Sequence, residues 1–395
     1  MKQRVPFYYN EFGCITSECR DNCCIGGWEI DIDDETYERY NNMTGELKHK
    51  IIDSITQNED EEYCFKLCDG KCPMLDDNGL CEIHKNLGED YLGVVCKQFP
   101  RYSEYYGTIK ESGIGLACEE AARIILSENR PFSMETAACD EQYEPSSEYD
   151  SSFALQIFAA RDSVFKILAE KSLSIHEKLI VILDMGSKIQ QCINTDEYDN
   201  IKSVVNDYLK EGITHTLEET RNLSDSGQFE DISLQQGIRQ ILYPYEEMEV
   251  LNPEWDVILK DIIDSLFEQM NDEEYNILNE EFGTYMVSRA YEYRQLLEYL
   301  VFRYFAKSIY DYDFLGKCQM LVTNFFVIRQ MDIIRWLDNH REYSFKDRMD
   351  VVHIFSRQVE YSEDNIENLY EDFIFDDIFK TDSLIAILWI DSENI

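Results

Sequence analysis

The stretch Cys14-Ile15-Thr16-Ser17-Glu18-Cys19-Arg20-Asp21-Asn22-Cys23-Cys24-Ile25-Gly26-Gly27-Trp28-Glu29-Ile30 decides how the first third of the chain is read. It is polar and turn-rich, and its cysteines recur as Cys14-x4-Cys19-x3-Cys23-Cys24. Adjacent Cys23 and Cys24 cannot close a disulfide with each other without strain. Outward from it lie Cys72-Pro73, Cys81, Cys96 and Cys118; eleven of the thirteen cysteines fall between Cys14 and Cys139, leaving Cys192 and Cys318 for the rest. A secreted disulfide scaffold is short and usually even-numbered, whereas this chain has 395 residues and an odd count. The opening Met1-Lys2-Gln3-Arg4-Val5-Pro6 leads into Phe7-Tyr8-Tyr9-Asn10 with no apolar core of a signal peptide behind it. A cytoplasmic protein is the expectation, and in a reducing compartment clustered thiols point to metal.

Around this cluster, residues 1–140 carry turn signals at Gly26-Gly27, Asp69-Gly70 and Asn78-Gly79 and read as loop-rich with short helices. One strand is expected at Trp28-Glu29-Ile30-Asp31-Ile32, where apolar and acidic residues alternate, and a helix from an N-cap at Asp33 or Asp34. Residues 140–148, Asp-Glu-Gln-Tyr-Glu-Pro-Ser-Ser-Glu, read as a linker. From 151 to 395 the periodicity is helical: Ile157, Val164, Phe165 and Leu168, then Leu179, Ile182, Leu183, Ile189 and Ile193. After a polar break at 224–231, the strongest helical stretch runs over 274–310; Leu321 to Trp336 and a start at Ser344 and Asp347 give further helices. The apolar run 384–390 is too short for a membrane span and reads as a buried strand or helix end. The expected fold class is therefore mainly α: a loop-rich, metal-stapled Cys-rich domain over 1–140, then an all-α domain over 151–395. Composition agrees, since 7 Pro and 17 Gly are few for this length.

Charge excludes some functions. Lys+Arg 36 against Asp+Glu 79 gives −43, which repels phosphate backbones and anionic lipid, so neither nucleic acid nor membrane is an expected partner. For the cysteines, the bland alternative is ordinary burial, but eleven in 126 positions argue against it. Zinc sites show Cys-x2-4-Cys pairs and often histidine; here no Cys-x2-Cys pair occurs and His84 is the only histidine among these motifs. All-sulfur ligation beside Cys72-Pro73 favours iron–sulfur, with zinc as the alternative.

The segments Cys19-x3-Cys23-Cys24, Lys71-Cys72-Pro73-Met74-Leu75, Cys81-Glu82-Ile83-His84 and Cys96-Lys97-Gln98-Phe99-Pro100-Arg101 resemble the zinc- or iron-chelating Cys-rich family, and within it the flagellin lysine-N-methylase family. The opening Tyr9-Asn10-Glu11-Phe12-Gly13-Cys14, the run Cys23-Cys24-Ile25-Gly26-Gly27-Trp28-Glu29-Ile30 and Gly115-Leu116-Ala117-Cys118 are similar too, although Glu119 stands where relatives often have proline. A weaker likeness lies at Glu298-Tyr299-Leu300-Val301-Phe302-Arg303-Tyr304-Phe305. The resemblance implies a cytoplasmic enzyme that methylates flagellin lysines from S-adenosylmethionine and holds a 4Fe–4S cluster. By matching position it implies Cys14, Cys19, Cys23, Cys24, Cys72, Cys81, Cys96 and Cys118 as candidate ligands.

Cys64, Cys68 and Cys139 are read as incidental; Cys64-x3-Cys68-x3-Cys72 would share one helix face but is not the Cys-x3-Cys-x2-Cys of radical S-adenosylmethionine enzymes. Gly113-Ile114-Gly115 lacks the strand–helix frame of a nucleotide loop and reads as a turn that places Cys118. Lysine methylation needs a neutral amine, hence desolvation or a base. Tyr102, Tyr105 and Tyr106, or Tyr285, Tyr291, Tyr293, Tyr299 and Tyr304, could wall such a site, against the simpler reading of core aromatics. No catalytic base is named. The competing readings are a non-catalytic zinc- or iron-binding interaction module and a redox sensor.

Overall fold

The computed structural model describes residues 1–20, 23–58, 61–141, 150–225 and 232–393. The expected linker lies outside the described residues from 142 onward, and the expected polar break from 226 onward. Asp33 caps the first helix as its sequence position implies: its Oδ1 accepts from the Thr36 N–H at 2.9 Å, opening α1 (Asp34–Asn42). Helix α2 (Glu46–Asp53) and strands β2 (Ile55–Gln57) and β3 (Tyr63–Phe65) follow. The strand expected at 28–32 is reduced to one bridge, Asp31 to Cys64. Its alternation is nonetheless real, because Ile30 and Ile32 are buried and hydrogen bonds from Ile32 N to Tyr63 O and from Phe65 N to Ile30 O tie it to β3. The helix expected to carry Cys64, Cys68 and Cys72 does not form. Cys64 belongs to β3, and Asp69 and Gly70, at φ 51° and 72°, turn the chain so that Cys68 pairs with Lys71.

A four-stranded sheet is the main feature that periodicity does not announce. Strand β1 (Lys2–Pro6) lies between β5 (Ile109–Ile114), to which it is parallel, and β6 (Met134–Ala138), to which it is antiparallel; β4 (Arg101–Tyr106) pairs with β5 in a hairpin. Gly107, at φ 59°, supplies the left-handed conformation that a two-residue hairpin turn needs. Strands of five or six residues, partly polar on both faces, give too short a signal to read. Short helices α3 (Glu82–Leu87), α4 (Val94–Gln98) and α5 (Glu119–Leu126) connect these parts.

Beyond residue 150 the described chain is helical: α6 (Ser151–Ala169), α7 (Ile175–Asn194), α8 (Ile201–Asp207), α9 (Ile213–Asp225), α10 (Leu234–Glu246) and α11 (Pro253–Ile262). The stretch expected as one long helix over 274–310 is broken by tight turns at Val287–Arg289 and Phe305–Lys307 into α12 (Asp272–Met286), α13 (Ala290–Tyr304) and α14 (Ser308–Asp311). Then come α15 (Phe314–Asp338), α16 (Phe345–Val359), α17 (Glu363–Phe375) and α18 (Thr381–Glu393). Ser344 and Asp347 form a capping box at the start of α16, and the 384–390 run is buried helix within α18.

Two hydrophobic cores result. The smaller gathers Ile30, Ile32, Tyr40, Ile51, Phe65, Cys72, Met74 and Ile83. The larger joins Tyr8, Phe12, Tyr106, Ile114 and Leu116 to the helices around α15, which is buried on nearly every side. Charged pairs cross-link this body. Arg348 meets Asp332 at 2.6 Å and Glu292 at 3.1 Å, joining α16, α15 and α13. Arg161 of α6 makes a two-pronged contact with Glu111 of β5 at 2.6 and 2.7 Å, both side chains buried, and so docks the sheet on the helices.

Candidate functional site

Between the two cores lies a cavity of about 660 Å³, and Cys14, Cys19, Cys23, Cys24, Cys72, Cys81, Cys96 and Cys118 all line it. Cys64, Cys68 and Cys139 do not. The thiols arrive from separate pieces of chain. Cys14 precedes a tight turn at Thr16–Glu18 and receives the Thr16 N–H at 3.4 Å; Cys19 follows it. Cys72 is placed beside Cys24 by a backbone hydrogen bond from its own N–H to Cys24 O at 2.8 Å. Cys81 and Cys118 stand at the N-caps of α3 and α5, and Cys96 is on α4.

Cys24 donates toward Cys72, so the Cys72 thiol is held below its ordinary pKa. Hydrogen bonds with Cys23 and Cys72, then burial, push Cys24 upward. Burial raises Cys81 and takes Cys118 to about 11, against backbone N–H groups at each helix start that favour the thiolate. Cys24 is thus within hydrogen-bond reach of both Cys23 and Cys72. Among the described residues, however, no group of three or more His, Cys, Asp or Glu closes to metal-holding distance. The expected metal staple is thus not drawn shut: apart from the contacts of Cys24 with Cys23 and Cys72, the thiols stand around a space.

The donor set still suits a soft metal. Sulfur dominates, His84 is the one histidine on the cavity, and a volume of this size is that of a cofactor or small-molecule site. Glu119 ties two cysteine segments together. Its carboxylate accepts from Arg20 N and Arg20 Nε, each at 3.1 Å, and lies 3.5 Å from Cys19 Sγ; Arg20 also reaches Asp350 of α16 at 2.5 Å. Gly115 opens the turn into Cys118, whose N–H bonds Gly115 O at 3.2 Å, but Gly113 is strand, not a phosphate loop. A side chain at Gly113 would come within 2.4 Å of the Tyr102 hydroxyl.

The tyrosines considered as walls do not line this cavity. Tyr299 and Tyr304 instead donate to Glu360 Oε2, each at 2.9 Å, around a half-buried Arg303 that lies 3.0 Å from the same oxygen. Tyr102 stacks its ring on that guanidinium at 4.5 Å. Local sequence carries no signal for this network or for Arg20 and Asp350, because their partners are distant in the chain.

The family model for the FliB lysine N-methylase C-terminal domain matches residues 161–387. The chain belongs to that family. Curated relatives of this lysine N-methylase family agree: the chain is 32% identical over 129 residues to a Lysine-N-methylase of Salmonella typhimurium strain LT2, covering 31% of this chain and 32% of the relative. It is 31% identical over 129 residues to the Flagellar biosynthetic protein FliU of Salmonella muenchen, covering 31% of this chain and 76% of that one. The match therefore spans about a third of the length of the first relative. No solved structure matches. The family domain supplies Asp350 and Glu360 but none of the cavity cysteines, which all lie before residue 161. Among the described residues, no helix is long and apolar enough to cross a membrane.

Proposed function

We propose that this chain is a cytoplasmic protein-lysine N-methyltransferase that acts on flagellin with S-adenosylmethionine as methyl donor, and that its cysteine cavity holds a 4Fe–4S cluster. The observation that carries the reading is the convergence of eight cysteines on one cavity in a chain of the lysine N-methylase family. Cys24, already hydrogen-bonded with Cys23 and Cys72, is the natural nucleus of a ligand set, with Cys81, Cys96 and Cys118 on the same cavity. A bound cluster would supply a redox-active or electrophilic centre. The protein's own part is to hold the thiols, to exclude water with Phe12, Ile15, Leu80 and Leu92, and to present a cationic partner with an acidic surface. In the transfer itself the neutral lysine nitrogen forms a bond to the methyl carbon, the carbon–sulfur bond of the sulfonium breaks, and the amine proton leaves to solvent or a base.

The test is anaerobic purification of the full chain, analysis of iron and acid-labile sulfide, and mass spectrometry of flagellin lysines after incubation with S-adenosylmethionine. Iron and sulfide in comparable amounts together with methylated lysine support the proposal. Stoichiometric zinc without sulfide replaces the cluster. Metal without methyl transfer supports a binding module, the reading favoured by the strand conformation of Gly113, where a nucleotide-binding enzyme would carry a glycine loop.

A further inference from the structure

Three walls of the cavity meet one corner of the helical body, where α16 ends and α17 has not begun. At that corner Arg357 Nη2 donates to Gly26 O at 2.9 Å and its guanidinium lies 4.9 Å from the centre of the Trp28 ring. Trp28 stacks on Tyr361 with ring centres 6.1 Å apart at 18°, and Phe99 packs against both at 5.5 and 6.0 Å. Trp28 follows Cys23 and Cys24; Phe99 follows Cys96. The third wall arrives through Gly115, three residues before Cys118, whose place is fixed by the Gly115 N–H donating to Pro100 O at 2.9 Å. The glycines record how closely the corner presses. A Cβ on Gly26 would meet Arg357 Nη2 at 3.1 Å and the Trp28 ring at 3.2 Å, and one on Gly115 would meet the Tyr361 hydroxyl at 2.8 Å.

We propose that Arg357 and Tyr361 are positioning residues for the thiol cavity: through Gly26, Trp28, Phe99 and Gly115 they set the spacing between the walls that carry Cys23 and Cys24, Cys96, and Cys118. The proposal deepens the metal-site reading and rests on it for the role of the thiols. It assigns the helical family domain a task at a site to which it gives no cysteine. The geometry supports this over simple packing, because one hydrogen bond, one cation–π contact and one ring stack all end on loops that have little regular structure of their own.

The experiment compares Arg357→Met with Arg357→Lys, and Trp28→Leu with Trp28→Phe, in the full chain. Metal-free protein is labelled with a maleimide and the rates at Cys23, Cys24, Cys96 and Cys118 are read by peptide mass spectrometry. The same proteins are then reconstituted anaerobically with ferrous iron and sulfide, and retained iron and visible absorption are recorded. Arg357→Met and Trp28→Leu are expected to change the labelling rate of these cysteines at least fivefold and to lower retained iron to a similar degree, with unchanged circular dichroism. Lys and Phe, which keep the cation and the ring, should restore most of both. Labelling rates and iron retention equal to the parent would overturn the proposal, as would equal defects in the conservative and disruptive variants. If the parent itself takes no iron, the metal reading fails, while the labelling rates still decide whether the corner sets the thiols.

Discussion

At the scale of single residues, the glycines and one buried carboxylate carry sharp consequences. Gly113 faces the rigid ring of Tyr102, with the ring carbon bearing the hydroxyl 2.5 Å from where a Cβ would stand. Gly113→Ala should therefore cost about 1–3 kcal/mol, read as a lower urea midpoint; an unchanged midpoint would show that β4 yields freely. Glu298 is buried beside Arg294 at 2.7 Å, and burial pushes its carboxyl up to about 7 despite that partner. Because the folded protein holds this proton more tightly than the unfolded chain does, the contribution is complete below about pH 4.5 and fades as pH rises through 7. The span corresponds to roughly 3 kcal/mol. Glu298→Gln should thus gain stability relative to the parent between pH 5 and pH 7.5, measured by urea unfolding at both. A constant difference would place the titration elsewhere. The cysteines were legible at this scale because thiol chemistry depends on residue type. Arg357 and Tyr361 were not, since their meaning depends on what they touch.

Elements are held by fewer contacts than their number suggests. The sheet docks on α6 through the buried pair of Arg161 and Glu111, so removing Arg161 leaves the buried carboxylate with only the more distant Arg4, at 3.6 Å. Arg161→Met is expected to destabilise the protein by about 3–5 kcal/mol, seen as a fall in Tm, and Glu111→Leu added to it should recover part of the loss. No recovery would mean that the pair contributes packing rather than charge compensation. On the metal reading, Cys23→Ser with Cys24→Ser, or chelation, should speed proteolysis within residues 23–98 and leave the fragment from α6 onward intact, because metal binding and folding are linked there. Identical cleavage with and without metal would count against that linkage. Helices with caps and apolar stripes, such as α1 and α16, could be read in advance. Strands β1, β5 and β6 could not, because strands this short gain their stability from neighbours over 100 positions away.

For the whole molecule, net charge of −43 is the property most open to solution measurement. If the substrate surface is rich in ammonium groups, attraction should speed encounter and be screened over about 8 Å at physiological salt. On the proposed function, the apparent KM for flagellin should then rise with ionic strength while kcat changes little; a salt-independent KM would reduce the acidity to solubility. The sequence by itself determined the helical character beyond residue 150, the caps of several helices, the acidic surface and the clustering of cysteines before residue 140, because these depend on local periodicity, composition and side-chain chemistry; the choice of eight among those cysteines came from the family resemblance. Only the tertiary structure decided that those eight line one cavity, that a mixed sheet joins residues 2–138, and that the helical family domain meets the thiol walls through Asp350, Arg357 and Tyr361. The physical reason is distance along the chain: Arg20 to Asp350 and Gly26 to Arg357 are contacts between residues more than 300 positions apart, set by the packing of the whole body.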